Sequence, residues 1–172
     1  DKLFTEFGMK YIDDPIIARI KNPNRMLRRK IMFAHRDFDK FLDARDKGEP
    51  LAAMSGIKPT GDFHLGSKLT AEELIFMQKE FGAKVFYAIA DLEAYADNGI
   101  SLQESHEIAV VNVADLLALG LDPKNAYIYK QSTEMRVMNF AYLFARKVTM
   151  NTFQALYGER NIGLYMATLI QA

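Results

Sequence analysis

The residue types best suited to chemistry fall in one short stretch, Gly56-Ile57-Lys58-Pro59-Thr60-Gly61-Asp62-Phe63-His64-Leu65-Gly66-Ser67. It follows an apolar run and opens a segment of helical spacing, so it reads as a strand-to-helix loop. A helix start presents unpaired amides and a partial positive charge, which together favour a phosphate. His64 carries a ring nitrogen able to donate to a phosphate oxygen. Gly66, having no Cβ, lets a flat adenine ring lie against the backbone. A lone His-x-Gly is more often a satisfied loop histidine beside a turn glycine. Its place after a strand, behind a Pro/Gly turn and at a helix start, shifts the reading toward a nucleotide without fixing the reaction.

The flanking elements must position that loop. Residues 51–57 form a short apolar run, broken at Gly56, that predicts a strand. Over residues 66–81, Leu69, Leu74, Met77 and Phe81 recur at helical spacing, and Gly82 ends the helix. Residues 84–92 are nearly all apolar, as expected for a strand buried on both faces. Ser101 and Glu104 make a capping box before a stripe of Val110, Val113 and Leu117, and Gly120 closes that helix. A strand over 126–129 and helices over 133–149 and from 161 onward complete the pattern. Strands alternating with helices imply crossovers and a parallel sheet, hence an α/β, Rossmann-like open fold. Ligands in such sheets bind beyond the carboxyl ends of the strands, near a reversal of strand order. Before residue 51 the chain reads as an irregular, charged lead-in with a short helix over 36–47.

Composition narrows the classes. The 172 residues are 49% hydrophobic and 26% charged, enough for one domain with its own core. Lys+Arg and Asp+Glu both total 22, so no global basic field marks a dedicated nucleic-acid binder, and any RNA contact is local. The densest basic stretch, Lys21, Arg25, Arg28, Arg29 and Lys30, reads as a solvated face. The absence of cysteine excludes disulfides and thiolate zinc sites and suits a cytoplasmic protein. No apolar run reaches the ~20 residues of a membrane span, so no membrane partner is expected. The chain opens at Asp1 and stops at Gln171-Ala172 within an apolar periodic run, which reads as part of a longer protein.

Residues 56–67 resemble the first signature of the class I aminoacyl-tRNA synthetases, in the form found in the tryptophanyl and tyrosyl branches of archaea and eukaryotes. Ala90-Asp91-Leu92-Glu93-Ala94-Tyr95 looks like the segment after the family's second core strand. Leu119-Gly120-Leu121-Asp122-Pro123 and Ile170-Gln171-Ala172 look like later segments of the same domain. Asp1-Lys2-Leu3-Phe4-Thr5-Glu6-Phe7-Gly8 and Phe33-Ala34-His35-Arg36-Asp37-Phe38-Asp39 resemble segments preceding the catalytic domain in the tryptophanyl branch. Glu93 points the same way, because that branch has a carboxylate there for the substrate's amino group. Such a pair is a charge-assisted hydrogen bond. Its plain reading is an exposed loop glutamate. Three positions depart from the pattern: Met54 replaces a pocket tyrosine, Ala88 a glutamine of the animal enzymes, and Ser67 a histidine found in many members. An indole nitrogen only donates and a thioether accepts poorly, so the acceptor for it must come from elsewhere.

The resemblance implies ATP-dependent activation of tryptophan and its transfer to tRNA, with Mg2+ accompanying ATP, no prosthetic group and no metal ligands in the chain. It assigns Gly56, Lys58, Pro59, Thr60, His64, Gly66 and Ser67 to ATP, with His64 and Ser67 catalytic. Met54, Tyr87, Ala90, Glu93, Thr152 and Gln171 fall to the amino-acid pocket. The implied partners are ATP, L-tryptophan and tRNA(Trp), in a cytoplasmic homodimer, with residues 1–50 an extension packed on a catalytic domain that starts at 51. The family's lysine-rich second signature is not found in residues 1–172, so this stretch alone is expected to be inactive. One helix terminus contributes ~0.3–1 kcal/mol and one good donor ~2.7–4 kcal/mol, against the ~8 kcal/mol or more that enzymes need. The open alternatives are a tyrosyl enzyme, a small-molecule nucleotidylyltransferase, and an inactive nucleotide-binding paralogue.

Overall fold

Parallel strands cannot be joined by a tight turn, so every strand of such a sheet is followed by a helix that returns the chain. The computed structural model, which describes residues 2–6 and 8–171 and side chains from Phe4 onward, shows this arrangement. Asp1, Phe7 and Ala172, part of the first and last matched segments, lie outside the described residues. In chain order the elements are α1 (Lys2–Thr5), β1 (Lys10–Tyr11), α2 (Asp14–Ala18), α3 (Arg25–Arg28), β2 (Ala34–His35), α4 (Phe38–Asp46), β3 (Ala52–Ile57), α5 (Leu65–Phe81), β4 (Lys84–Ile89), α6 (Asp91–Asn98), α7 (Leu102–Ala118), β5 (Ala126–Lys130), α8 (Met135–Ala145), α9 (Met150–Tyr157) and α10 (Ile162–Gln171). Short 3-10 turns at Pro123–Asn125 and Gln131–Thr133 flank β5.

Strands β3, β4 and β5 pair in parallel in that order, with Gly56 opposite Ala88 and Ala88 opposite Tyr129. Because strand order advances in one direction, both returns lie on the same face. There α5 and α7 cover a core of Leu74, Ile75, Val85, Tyr87, Ile89 and Leu116, joined by Ala53, Ile57 and Ile128. Strand alternation sends Met54, Gly56, Phe86, Ala88, Tyr127 and Tyr129 to the other face. A second cluster, from Ala141, Phe153, Tyr165, Leu169 and Ile170 with Leu92 of α6, ties α8, α9 and α10 together. Strand order does not reverse among the described residues, so the expected switch point is not seen there.

Several boundaries differ from the sequence reading, each for a local reason. The apolar run over 84–92 is a strand only to Ile89; Asp91 starts α6, which Gly99 ends in the left-handed region. The helix expected over 133–149 is α8, and Thr149 then caps a separate α9 by accepting the Thr152 amide at 3.3 Å. In α7 the buried stripe is Ser105, Ala109, Asn112 and Leu116, one position off the expected one, and Val110 is exposed. Ser101 Oγ accepts the Glu104 amide at 3.1 Å, one of the two bonds of a capping box. In the lead-in, β1 and β2 form an antiparallel pair too short for alternation to show. That segment is tied to α5 by the Arg25–Glu72 ion pair at 2.7 Å, by Glu80 accepting the Asn22 amide at 2.8 Å, and by Phe38 and Phe41 edge-on to Phe81.

Gly56 is required by packing more than by any ligand. A Cβ there would lie 2.3 Å from the Ala88 carbonyl oxygen, a backbone atom that cannot move aside. Gly56→Ala is therefore expected to force β3 from β4 and cost ~1–3 kcal/mol, read as a lower urea midpoint at an unchanged slope. An unshifted midpoint would contradict this close approach.

Candidate functional site

At the carboxyl ends of β3 and β4 lies a cavity of about 430 Å³, lined by Met54, Gly56, Lys58, Ala88, Ala90, Glu93, Gln131 and Gln171, with Ser55 and Ile57. Two strands, two helices, the loop after β3 and the short turn after β5 build it. Strand β3 brings Met54 and Gly56, and β4 brings Ala88. The first turn of α6 presents Glu93, where the helix dipole favours a carboxylate. The last turn of α10 swings Gln171 across the opening.

The polar end is a linked cluster. Gln171 Nε2 donates to Glu93 Oε2, and Lys58 Nζ stands 3.7 Å from Glu93 Oε1 and 2.7 Å from Asp97 Oδ2. The Lys58 bond holds the Asp97 carboxyl below its ordinary pKa. Glu93 is thus an acceptor already held by donors, a geometry suited to an incoming ammonium. The apolar end, Met54, Ala88 and Ala90, suits a flat hydrophobic group.

Behind the cavity, Asp91 is fully buried, yet its oxygens accept the Leu92 amide at 3.0 Å, the Ser132 amide at 3.0 Å and the Ser132 hydroxyl. It pins the turn after β5 against the start of α6. That turn carries Gln131, 1% exposed, whose Oε1 has no hydrogen-bond partner among the described residues. Neither residue was singled out from the sequence. The signals were a carboxylate inside an apolar run and a polar residue at the end of the third strand.

The His64 loop is a separate place. His64 is the N-cap of α5, and its Nδ1 accepts the amides of Gly66 at 3.1 Å and Ser67 at 3.4 Å. Two amides expected to face a phosphate are thereby engaged by the imidazole. With Nδ1 accepting, a neutral ring carries its proton on Nε2, so Nε2–H is the free donor. A Cβ on Gly66 would lie 3.0 Å from His64 Cε1, so this glycine seats the histidine ring as well as leaving the backbone open. His64 lines its own hollow with Phe63, Leu65, Lys68, Asp115 and Leu119, not the Glu93 cavity. Pro59 is buried, Thr60 is exposed with its amide donating to the Lys58 carbonyl at 2.9 Å, and Ser67 lines neither cavity.

Two expected pocket residues lie elsewhere. Tyr87 packs in the core beneath α5 and α7, where burial pushes its hydroxyl up to about 12. Being one residue from Ala88, it faces the opposite side of the sheet. Thr152 lies in the exposed first turn of α9, its hydroxyl paired with Thr149 at 3.0 Å, and lines no part of the Glu93 cavity. Met54, Ala90, Glu93 and Gln171 do come together, joined by Gly56 of β3 and Lys58 of the loop after it, two residues assigned to ATP. A neighbouring cavity, also about 430 Å³, sits between the lead-in and α5, with His35 and Glu73 among apolar residues; burial raises the Glu73 carboxyl. Among the described residues no group of three His, Asp or Glu is placed to hold a metal, and no helix is long and apolar enough to cross a membrane.

The sequence matches the family model of tRNA synthetases class I (W and Y) over residues 46–163. The tryptophan–tRNA ligase of Aeropyrum pernix is 42% identical across 100% of this chain and 47% of that protein, and that of Methanopyrus kandleri 38% across 100% and 48%. The crystal structure of tryptophanyl-tRNA synthetase from Aeropyrum pernix superposes with a TM-score of 0.92 at 41% identity, covering 99% of this chain and 48% of that one. The enzyme from Giardia lamblia superposes with a TM-score of 0.90 at 28% identity, over 99% and 46%. The chain spans about half the length of the curated relatives it matches.

The capping geometry of His64 separates two roles by substitution. His64→Ala removes the acceptor for two amides and should cost ~0.5–2 kcal/mol. Asparagine, a strong N-cap, should recover most of that loss. Equal melting temperatures for the wild type and His64→Ala would show that the ring does not cap α5.

Proposed function

The chain belongs to the class I tRNA synthetases (W and Y), and on that premise we propose that the protein carrying it activates L-tryptophan with ATP and transfers it to tRNA(Trp) in the cytoplasm. The supporting observation is Glu93, held by Gln171 and near Lys58 at the polar end of a cavity whose other end is apolar. Residues 1–50 act as an extension packed on the catalytic domain that starts at residue 51, and the working enzyme is a homodimer.

In the proposed reaction the tryptophan carboxylate attacks the α-phosphorus of ATP, forming the acyl–O–P bond as the bridge to the β-phosphate breaks and pyrophosphate departs. The nucleophile is already ionised, so no general base is needed, and positioning with electrostatic stabilisation carries the step. Glu93 and Gln171 hold the ammonium, which leaves the carboxylate free to face the nucleotide. His64 Nε2–H, at the start of α5, donates to a phosphate oxygen. Lys58, which lines the Glu93 cavity and begins the loop that leads to His64, offers positive charge to the phosphates. Mg2+ bound to ATP would supply further neutralisation of phosphate charge. A terminal ribose hydroxyl of the tRNA then attacks the acyl carbon, and AMP leaves. Tyrosine, the other amino acid in the family's description, is disfavoured by Met54, whose thioether is a poor partner for a phenol.

Amino-acid-dependent ATP–pyrophosphate exchange by the whole protein across the twenty amino acids should respond to tryptophan alone. Glu93→Gln should lower kcat/KM for tryptophan ~10–100-fold, as expected for loss of a hydrogen bond to a charged group. An active protein indifferent to tryptophan would refute the assignment.

A further inference from the structure

We propose that Gln131 reads the indole N–H of tryptophan, supplying the acceptor that the strand positions leave missing; the inference rests on the tryptophan reading of the cavity. A buried acceptor without a partner is uncommon and unfavourable, and on a cavity wall it marks where a ligand brings a donor. Gln131 meets each condition: it is 1% exposed, its Oε1 is unpartnered among the described residues, and it lines the cavity that Glu93 closes.

The rest of the wall offers no buried equivalent: the other carboxamide, Gln171, is exposed and tied to Glu93. Met54 has a weakly accepting thioether, and Ala88 and Ala90 have no polar side-chain atom. Ser55 shares its side of β3 with Ala53 and Ile57, which pack on the core of the opposite face. Lys58 only donates. Glu93 is engaged with Gln171 and flanked by Lys58.

Tryptophan brings two donors, a charged ammonium and a neutral indole N–H, and its carboxylate must stay free to react. The cavity brings an acceptor of matching kind to each, the Glu93 carboxylate at the polar end and the buried Gln131 carboxamide. A carboxamide suits the buried neutral donor, because a second carboxylate there would be desolvated without a counter-charge. Its terminal torsion is broad and roughly two-fold, so the oxygen turns toward the ring at little cost. Asp91 acts as a positioning residue, since its bonds to the Ser132 amide and hydroxyl fix the backbone immediately after Gln131.

The test is ATP–pyrophosphate exchange by the whole protein with L-tryptophan and with β-(benzothiophen-3-yl)-L-alanine, in which sulfur replaces the indole N–H. The wild type should prefer tryptophan at least ~10-fold in kcat/KM. Gln131→Met, of similar length, should raise KM for tryptophan ~10–100-fold, leave KM for ATP unchanged and abolish the preference. Gln131→Leu should do the same. The inference is overturned if the variants keep the preference, or if both substrates weaken equally, which would place Gln131 at the ammonium or in general support. The wild-type comparison needs no variant: equal use of both substrates overturns the inference while tryptophan activation stands. A protein that activates no tryptophan overturns the functional reading and this inference together.

Discussion

Where Gly56 pairs with Ala88, the backbones of β3 and β4 approach so closely that a Cβ on residue 56 would lie 2.3 Å from the Ala88 carbonyl oxygen. Everything at the carboxyl edge of the sheet follows from that contact. It keeps the two strand ends adjacent, so that Met54, Ala88 and the first turn of α6 share one cavity. It also keeps the wall there free of side-chain bulk, leaving room for a flat ring. Alternation then divides the labour on β4: Val85, Tyr87 and Ile89 bind the sheet to α5 and α7, and Ala88 faces the site.

The polar chemistry is layered on this frame by residues that hold one another. Asp91 locks the turn after β5, two residues on Glu93 meets Gln171 from α10, and Lys58 bridges toward Asp97. Helix α10 therefore contributes to both the second core and the site, since Leu169 and Ile170 pack inward while Gln171 reaches Glu93. The His64 loop, by contrast, is secured locally, by a histidine capping its own helix.

The sequence was most legible where long periodic runs met strong punctuation. Apart from α6, the strands and helices from residue 52 to Lys130, the parallel sheet and the loop at 58–64 were readable from alternation, helical spacing and glycine breaks. The run over 84–92 misled because apolar composition does not separate a strand from a following helix start. The stripe of α7 misled because Val110 is apolar yet exposed, while Ser105 and Asn112 are polar yet buried. Tyr87 was misplaced by a single step of alternation, and Thr152 by a helix break that carried it outside. Gln131 was invisible because nothing in its sequence neighbourhood says that its side chain turns inward unpaired. Gly56 and Gly66 read in the sequence as ligand-facing glycines, whereas their packing roles lie in contacts with the Ala88 carbonyl and the His64 ring.

The central claim is that the cavity at the ends of β3 and β4 holds tryptophan with its ammonium at Glu93. A crystal structure of the whole protein grown with L-tryptophan tests it most directly. The account predicts tryptophan in that cavity, ammonium against Glu93 and Gln171, ring between Met54 and Ala88, and indole nitrogen within hydrogen-bond distance of Gln131. Tryptophan seated instead beside His35 and Glu73, beneath the lead-in segment, would contradict it.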